Sequence, residues 1–508
     1  MMRDRDLYKE ILEKYLLRER VSGWAGERDY AYEIRDILCD NMRCDSSQVI
    51  SINVRTWEDL FCEINTFRCA IQPPYEGDIS LKGVLTDNIE HCEDKILLIS
   101  TTDHPDNIWV LYNEAVERRA RGVVFYDFYP FRRRRIVVSG RWSYSFNETI
   151  RAEVPVVHIS LEEYARLRRF VGREIDLVLR SKLRSSTGFN VEVIKEHRDQ
   201  EIIVSAHHDA WLSGFRDNGI GVLTLIRLSE VIGRRSFAKN SVRIVSLTAE
   251  EYGDPSNSTW YWAYGSRVYV NTLSDEYIER RKILGLVLDL AYREPLKISY
   301  TSPDIAFNLK HHMSIESQID DYGHVYMDTI SFVSKGVPTL TLHNFTSDVY
   351  SIYHTDLDLP FAMWRGFIER LSLDLARIID RYDPATHMSV KILRERIRKN
   401  TTGDLRVKLE ELIGEIERRD IDAIYRFYKC FSKTLLKPVA FESYRKLYSE
   451  LSLTPYPEII SIASRIGSRE VIVAGEERTL DFGNEFLKNR YLAENLELLE
   501  MLRECVFR

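Results

Sequence analysis

The feature that most constrains the fold is an alternation of short apolar strands with helices between residues 186 and 384. Strand-like runs such as EIIVSA, SVRIVSLT and ILGLVLDLA are separated by segments with helical spacing. Strands this apolar are typical of a mostly parallel sheet that helices cover on both faces. The sequence therefore predicts an α/β fold with a mixed, mostly parallel sheet flanked by helices.

The alternation also gives the approximate bounds of each element. Predicted strands cover 201–206, 241–248, 283–291, 297–301 and 338–343, and predicted helices cover 218–233, 259–274 and 361–383. Two further helices precede a mixed segment that ends near residue 72, before a Pro-Pro break.

A chain of 508 residues exceeds one compact core, so two to four domains are expected. Residues 75–185 change to short β-runs at 95–100, 122–126 and 154–160, with a helix near 113–122, and predict an inserted β-rich domain. Residues 1–74 and 186–384 would then form one discontinuous domain. Residues 385–508 are predicted to form a helical domain. Its predicted helices are 403–418, 420–435, 440–452 and 483–503, with a hairpin that pairs 469–475 with ERTLDF.

Composition and charge exclude some classes of partner. The net charge of -7 argues against a general nucleic-acid binder, which is usually basic. The charged N-terminus lacks the apolar stretch of a secretory signal, and no apolar run reaches the roughly 18 residues of a membrane span. We therefore expect a cytoplasmic protein with no membrane partner, while a signal removed earlier leaves export open.

Seven cysteines are present, and none forms a CxxC pair, so a zinc ribbon is not expected. Five of them lie in the first hundred residues. Buried free thiols are the leading interpretation. A disulfide such as Cys39 with Cys44 is the alternative, as in intracellular proteins of thermophiles.

The first motif whose side chains could bind a metal or catalyse a reaction is AHHDAW at 206–211, directly after a predicted strand. A metal-bound histidine usually gives its second ring nitrogen to a carboxylate, and Asp209 is placed to do this for His207. Asp217 follows just before a helix, where its carboxylate could bridge two cations. Taken alone, a His-x-Asp motif is more often a hydrogen-bonded surface histidine.

The second motif is a pair of adjacent glutamates, Glu250 and Glu251, just past the strand of residues 241–248. Such pairs are usually solvated. In a metal site they divide the work, because one carboxylate binds the metal and its neighbour takes a proton from water. We assign Glu251 as a ligand and Glu250 as the general base.

Two further positions complete the set. Asp289 lies in the otherwise apolar VLDLA, where an unpaired carboxylate is costly to bury and a metal would neutralise it. His354 precedes the long helix of 361–383 and supplies a second imidazole. Its neighbour Tyr353 could donate a hydrogen bond to the oxyanion of a tetrahedral intermediate.

Each signal is modest, but their joint order is specific. The metal ligands predicted from it are His207, Asp217, Glu251, Asp289 and His354. One histidine and one carboxylate per metal, with a shared aspartate, leave room for water, as in a catalytic zinc site. We expect two Zn²⁺ ions per chain, with Co²⁺ or Mn²⁺ as substitutes, that activate a water held between them.

With these motifs placed, the chain resembles the zinc exopeptidases that include bacterial leucyl aminopeptidases, glutamate carboxypeptidase II and the catalytically inactive transferrin receptor. AHHDAW, DNGIG, TAEEYG, VLDLA and YHTDLD follow the order of that family's signature, and DTISFVSKGVPTLTL resembles its strand before the final histidine. The resemblance implies a phosphorylase/peptidase-type fold with a protease-associated domain over 75–185. It also implies a dimerisation role for 385–508, and hence a homodimer.

The resemblance has one departure and one further implication. Glutamate-selective members carry arginines where GVPTLTLHN places Thr341 and His343, which argues against a glutamate-specific carboxypeptidase. The family also tends to hold the peptide after its bridging aspartate in cis, so a cis bond between Asp217 and Asn218 is predicted.

The leading hypothesis is a zinc exopeptidase that cleaves a terminal peptide bond, as an aminopeptidase or dipeptidase. A carboxypeptidase, a non-catalytic binding protein on the same scaffold, and a hydrolase or cyclase acting on other amides are the alternatives. The basic run Arg132 to Arg135 is usually a solvated loop, although one of its arginines could bind a substrate carboxylate.

Overall fold

The computed structural model describes residues 6–101, 107–138, 152–197, 200–234, 240–255, 261–322, 327–400, 403–434, 470–473, 476–479, 496 and 499–507. Within them the strands are β1 Ser46–Ile64, β2 Phe67–Arg68, β3 Ala70–Ile71, β4 Gly77–Thr86, β5 Ile96–Ser100, β6 Gly122–Tyr126, β7 Val156–Ile159, β8 Glu174–Lys195, β9 Gln200–His207, β10 Ser241–Leu247, β11 Lys282–Leu288, β12 Leu296–Tyr300, β13 Ser317–Tyr322, β14 Thr339–His343, β15 Glu470–Val473 and β16 Glu476–Thr479.

The α-helices in the same residues are α1 Leu7–Ile11, α2 Glu27–Met42, α3 Asn107–Glu117, α4 Leu161–Leu167, α5 Ile220–Arg234, α6 Tyr264–Thr272, α7 Asp275–Arg280, α8 Pro303–Lys310, α9 Thr329–Ser334, α10 Trp364–Arg381, α11 Pro384–His387, α12 Lys391–Asn400, α13 Gly403–Glu417 and α14 Ile421–Thr434. Residues 501–507 are also helical.

The centre of the fold is a mixed sheet in the order β13-β12-β14-β11-β9-β10-β8. Strands β14, β11, β9 and β10 are parallel to one another. Strand β12 is antiparallel to β14 at one side, and β8 is antiparallel to β10 at the other. The predicted mostly parallel sheet is confirmed, and the four central strands end at the same edge.

Helices cover both faces of this sheet, as its apolar strands predict. On β9, Ile202 and Val204 belong to the buried core that includes residues of α2, α5 and α10. Ile203, which points the other way, packs in a second core with residues of α6 and α9. Because successive side chains of a strand alternate between faces, a strand buried on both sides must be apolar throughout.

A long two-stranded ribbon links the central sheet to the β-rich insert. Strands β1 and β8 pair antiparallel from Ser46 with Ile194 to Ile64 with Leu177. Strand β4 then pairs antiparallel with the first half of β8 and carries the sheet into the insert. The boundary proposed between residues 185 and 186 therefore falls inside β8.

The insert has its own parallel strands, β4 to β7, with β3 antiparallel to β7. The strands predicted at 95–100, 122–126 and 154–160 are confirmed. The helix predicted near 113–122 is displaced, because α3 ends at Glu117 and Arg119 takes a left-handed conformation with φ 63° before β6. Trp211 and Tyr252 of the central domain are buried in the apolar core of the insert. The core of the insert therefore extends onto the central domain.

The C-terminal helices pack on the central domain. The Tyr428 hydroxyl donates to Asp304 on α8 at 2.6 Å, and the Tyr425 hydroxyl accepts from the Ile283 amide at 2.9 Å. Helices predicted at 403–418 and 420–435 are confirmed, as is the hairpin, formed by β15 and β16. The helix predicted at 440–452 lies outside the described residues, as does most of the one at 483–503.

The expectation of free thiols is wrong for six of the seven cysteines. The pairs are Cys39–Cys44, Cys62–Cys69 and Cys430–Cys505, and Cys92 is free and buried. Local geometry explains the first two pairs. Arg43 (φ 53°) reverses the chain after α2, and Cys62 and Cys69 face each other beside the β1–β2 pairing. Such bridges persist in oxidising compartments and inside hyperthermophiles.

In the described part of the chain, every helix is too short or too polar to span a bilayer.

Candidate metal centre

The ends of three parallel strands bring most of the predicted ligands together. His207 is the last residue of β9, and its register partner on β10 is Leu247, three residues before Glu250. On the other side, Leu288 of β11 is aligned with Ala206, so Asp289 follows at the level of His207. Open α/β sheets bind ligands at this carboxyl edge.

Three non-glycine residues at this edge have left-handed backbones. Ala249 (φ 55°) precedes Glu250, Leu290 (φ 51°) follows Asp289, and His354 itself has φ 54°. Each conformation costs about 1–3 kcal/mol and persists only where the surroundings enforce it. Such residues cluster at functional sites, and here each one turns a ligand-type side chain toward the same point.

Asp217 lies in a turn, Phe215–Gly219, before α5. The peptide bond between Asp217 and Asn218 is cis, as predicted. The buried carboxylate of Asp358 accepts the backbone N–H groups of Arg216 at 2.9 Å and Asp217 at 3.0 Å. Asp358 was not identified from the sequence, although it closes the YHTDLD motif, because its partners are about 140 residues away.

The geometry of Asp217 is that of a bridge between two histidines. Its Oδ1 is 3.3 Å from Nε2 of His207, and its Oδ2 is 3.3 Å from Nε2 of His354. Asp289 lies 3.5 Å from His207 Nε2, and Glu251 lies 2.9 Å from His354 Nε2. The five predicted ligands thus form two groups that share one aspartate, His207–Asp217–Asp289 and Asp217–Glu251–His354.

The donor atoms fit metal ions. The five side chains are at least 92 % buried. Among the described residues, Nε2 of His207 and Oε1 of Glu251 are buried polar atoms without a hydrogen bond of normal geometry. Such atoms are costly unless a partner is supplied, and imidazole nitrogen with carboxylate oxygen is a ligand set suited to zinc.

The second ring nitrogens of both histidines have main-chain partners. His207 Nδ1 lies 3.1 Å from the carbonyl oxygen of Asp209, and His354 Nδ1 lies 3.2 Å from that of Arg135. A carbonyl can only accept, so each Nδ1 carries the proton and each Nε2 faces the carboxylates. Arg135 belongs to the insert, so the insert contributes to the centre.

The carboxylates around the two histidines favour the protonated form of both imidazoles. Burial opposes their charged forms, but neighbouring carboxylates outweigh it. Asp209, Asp217 and Asp289 raise the pKa of His207 well above its usual value, and Glu251 and Asp217 raise the pKa of His354 to about 10. Metal binding would therefore displace protons from this centre.

Asp209 positions the glutamate pair. Its Oδ1 accepts the amide of Glu250 at 3.1 Å and its Oδ2 that of Glu251 at 2.9 Å, while its carboxylate lies 3.6 Å from His207 Nδ1. Burial raises the pKa of Glu250 well above its usual value, and the nearby Asp289 and Asp328 carboxylates add to this. Glu250 is therefore a buried carboxyl group with high proton affinity beside both ligand groups.

Tyr353 lies beside the centre with its ring stacked on that of His354, at a centroid distance of 3.6 Å. Asp328 is a buried neighbour that was not predicted from the sequence, although it begins the DTISF stretch. Burial, together with Asp289 and Asp209, raises the pKa of Asp328 to about 7.

Arg20 is a third residue that was not identified from the sequence. Its side chain is fully buried and donates to the carbonyl oxygens of His208 at 2.7 Å and Gly214 at 3.1 Å. Its backbone forms a two-bond bridge with Ala210. Arg20 thus fixes the loop that connects His207 to Asp217.

Three arginines of the 132–135 run are engaged inside the protein. Arg133 pairs with Glu163 and Asp356, Arg134 with Asp127, and Arg135 with Glu19 and Asp59. They are therefore not free to bind a substrate carboxylate. Arg132 is half-buried, and its Nε donates to the Pro130 carbonyl at 3.0 Å.

Comparison with known proteins agrees with this fold. Residues 191–375 match the sequence model of peptidase family M28. The structure is similar to BSAP, a zinc aminopeptidase from Bacillus subtilis, with 18% identity, a TM-score of 0.57, and coverage of 74% of this chain and 92% of that one. It is also similar to a peptidase M28 precursor from Shewanella amazonensis, with 17% identity, a TM-score of 0.57, and coverage of 75% and 94%.

No curated protein matches the chain. The structural similarities, at such low identity, concern the fold. Together with the family match and the ligand geometry, they support a zinc metallo-exopeptidase, a hydrolase of peptide bonds.

Proposed function

We propose that the protein is a two-zinc exopeptidase that removes residues from the amino end of peptides or cleaves dipeptides. The observation that carries the proposal is the Asp217 carboxylate, whose two oxygens each lie 3.3 Å from Nε2 of a different histidine. A bridging carboxylate of this kind joins two half-sites into one centre that can act on a single carbonyl group.

In this proposal His207 and Asp289 hold one zinc ion, Glu251 and His354 hold the other, and Asp217 is shared. When bound, the ions would polarise the scissile carbonyl and lower the pKa of water, as zinc does in other hydrolases. Co²⁺ and Mn²⁺ are suited to the same nitrogen and oxygen ligands.

Glu250 is the proposed general base. Its carboxylate would take a proton from the attacking water and deliver it to the nitrogen of the leaving amine. The fixed orientation of its backbone by Asp209, and its position next to the ligand Glu251, support this role. Tyr353, stacked on His354, is the proposed donor to the oxyanion.

The competing hypothesis is that the protein binds a ligand or partner without catalytic activity. The presence of all five ligands together with Glu250 favours an enzyme over such a protein. A dimer through the C-terminal helical region stays a proposal, which sedimentation of the full chain would test.

One panel of substrates tests the proposal. The zinc-loaded protein is given amino-acid anilides, dipeptides, and peptides whose amino end is blocked. We expect cleavage of anilides or dipeptides and none of blocked peptides, because exopeptidases recognise a free terminus. Cleavage confined to blocked peptides would indicate a carboxypeptidase, and cleavage of none by zinc-loaded protein would indicate a binding protein.

A further inference from the structure

The β-rich insert reaches the candidate metal centre through one short segment, Arg133 to Arg135. Arg134 forms an antiparallel bridge with Thr355. On either side of it, the Asp356 amide donates to the Arg133 carbonyl at 3.2 Å, and the Arg135 amide donates to the His354 carbonyl at 2.9 Å. The segment that carries His354 is thus paired, as in a sheet, with a segment of the insert.

The side chain of Arg134 reinforces this pairing. Its guanidinium is fully buried and donates to the carbonyl oxygen of Tyr350 at 2.5 Å and to that of Tyr353. Asp127, also in the insert, accepts from Nε of Arg134 at 3.0 Å and balances its charge. A guanidinium presents its donors in a rigid fork, so one side chain fixes both carbonyl groups and hence the loop that ends at His354.

The pairing also sets the orientation of the His354 ring. Nδ1 of His354 donates to the Arg135 carbonyl at 3.2 Å, which leaves Nε2 directed at Asp217 and Glu251. By contrast, the partner of His207 Nδ1 is the carbonyl of Asp209, within the central domain. Of the two ligand histidines, therefore, only His354 has its Nδ1 held by the insert.

We propose that Arg134 is a positioning residue through which the insert holds His354 in place for one of the two metal ions. This inference rests on the proposed two-metal function. The role of Arg134 is tested by metal binding and the proposed function by peptide cleavage, so the two proposals can fail separately. The interactions that orient metal-ligating histidines typically change metal affinity by about 10- to 100-fold when they are removed.

The experiment compares Arg134→Met with Arg132→Ala, a control at a half-buried arginine of the same run whose Nε donates to the Pro130 carbonyl at 3.0 Å. Metal-free proteins are titrated with Co²⁺, followed by the visible absorption of the bound ion and by competition with a chelator. We expect wild-type protein and Arg132→Ala to bind two ions with unchanged affinities. In Arg134→Met, one ion should bind as in wild type and the other about 10- to 100-fold more weakly.

Equal affinities for both ions in folded Arg134→Met would overturn the inference, as would equal weakening of both, which indicates general loosening. If Arg134→Met does not fold, Arg134→Lys takes its place. A lysine keeps the charge but cannot hold both carbonyl groups and Asp127 at once, so a smaller loss confined to one ion is expected. No loss in that variant would count against the inference.

The outcome for the proposed function is separate. Wild-type protein that binds two ions but cleaves no peptide would refute the exopeptidase and leave the role of Arg134 intact. Unchanged metal binding in the Arg134 variants of an active enzyme would refute the role of Arg134 and leave the exopeptidase intact. Wild-type protein that binds no metal would refute both.

Discussion

Glu250 differs from its neighbour Glu251 in the part that we assign to it. Both are buried, and both have their backbone amides held by Asp209. Only Glu251 lies within 3 Å of His354. Burial raises the pKa of both carboxyl groups, that of Glu251 to about 7. Bound cations would lower both values, so that Glu250 is ionised and ready to accept a proton.

Glu250→Gln tests this division directly. Glutamine keeps the shape of the side chain but cannot take a proton from water, so kcat should fall about 10²–10⁴-fold. Bound zinc should stay at the wild-type amount, because the five ligands are untouched. Steady-state kinetics and metal analysis of the same sample measure the two effects. Turnover within tenfold of wild type would remove Glu250 from the mechanism.

The residues that meet at the site were largely predictable, because ligand-type side chains in apolar surroundings stand out in the sequence. Asp289 within VLDLA is the clearest case. Asp358 and Arg20 were not predictable in this way. Each acts through backbone groups far along the chain, the amides of Arg216 and Asp217 and the carbonyls of His208 and Gly214. Single-residue patterns carry no signal for such contacts.

Among the elements, the strands of the central sheet were predicted better than the ribbon of β1 and β8. Central strands such as β11 are almost entirely apolar, as in the run ILGLVL, which is a strong signal. The ribbon alternates buried and exposed residues and carries many charges, as in SSQVISINVRTWEDLFCEI. Its length follows from pairing between residues more than 100 positions apart. A local pattern cannot reveal that pairing.

Strand β7 carries a histidine whose environment predicts a pH dependence of stability. His158 is fully buried, its Nδ1 accepts the Arg134 amide at 3.2 Å, and burial lowers its pKa to about 4. The unfolded chain, with a pKa near 6.5, binds the proton more readily. The stabilisation is therefore complete above about pH 6.5 and is lost as the pH falls toward 4, by up to about 3 kcal/mol.

Thermal or denaturant unfolding of metal-free protein between pH 4 and 7 measures this loss of stability. His158→Asn, which cannot titrate, should lose less stability on acidification than wild type does. Substitution of the exposed His311 provides the matched control. Identical slopes in wild type and His158→Asn would show that His158 is not protonated on unfolding.

At the scale of the whole molecule, the sequence predicted a central domain, a β-rich insert and a helical C-terminal region. It could not predict how the insert docks, because that depends on pairing between residues 133–135 and 354–356, some 220 positions apart. The Cys39–Cys44 bridge, the alternative offered from the sequence, is confirmed, whereas the Cys430–Cys505 bridge was missed for a related reason. The partners Cys430 and Cys505 are 75 positions apart and meet only when the terminal helix returns to α14.

The Cys430–Cys505 bridge should be the most stabilising of the three, because it closes the longest loop. In the chain-entropy account, its loss through paired serine substitutions should cost roughly 4 kcal/mol. Loss of Cys39–Cys44, with a separation of five residues, should cost about 2 kcal/mol. Denaturant unfolding of the two variants compares them. An equal or larger cost for the short loop would contradict this ranking.

We propose that two zinc ions, held by His207, Asp289, Glu251 and His354 and joined by Asp217, make this protein a peptidase. The most direct measurement is a zinc titration of metal-free protein in which bound zinc and hydrolysis of a dipeptide or amino-acid anilide are followed together. We expect no turnover without metal, saturation at two zinc ions per chain, and full turnover at that point. Saturation at one ion, or cleavage by the metal-free protein, would contradict it.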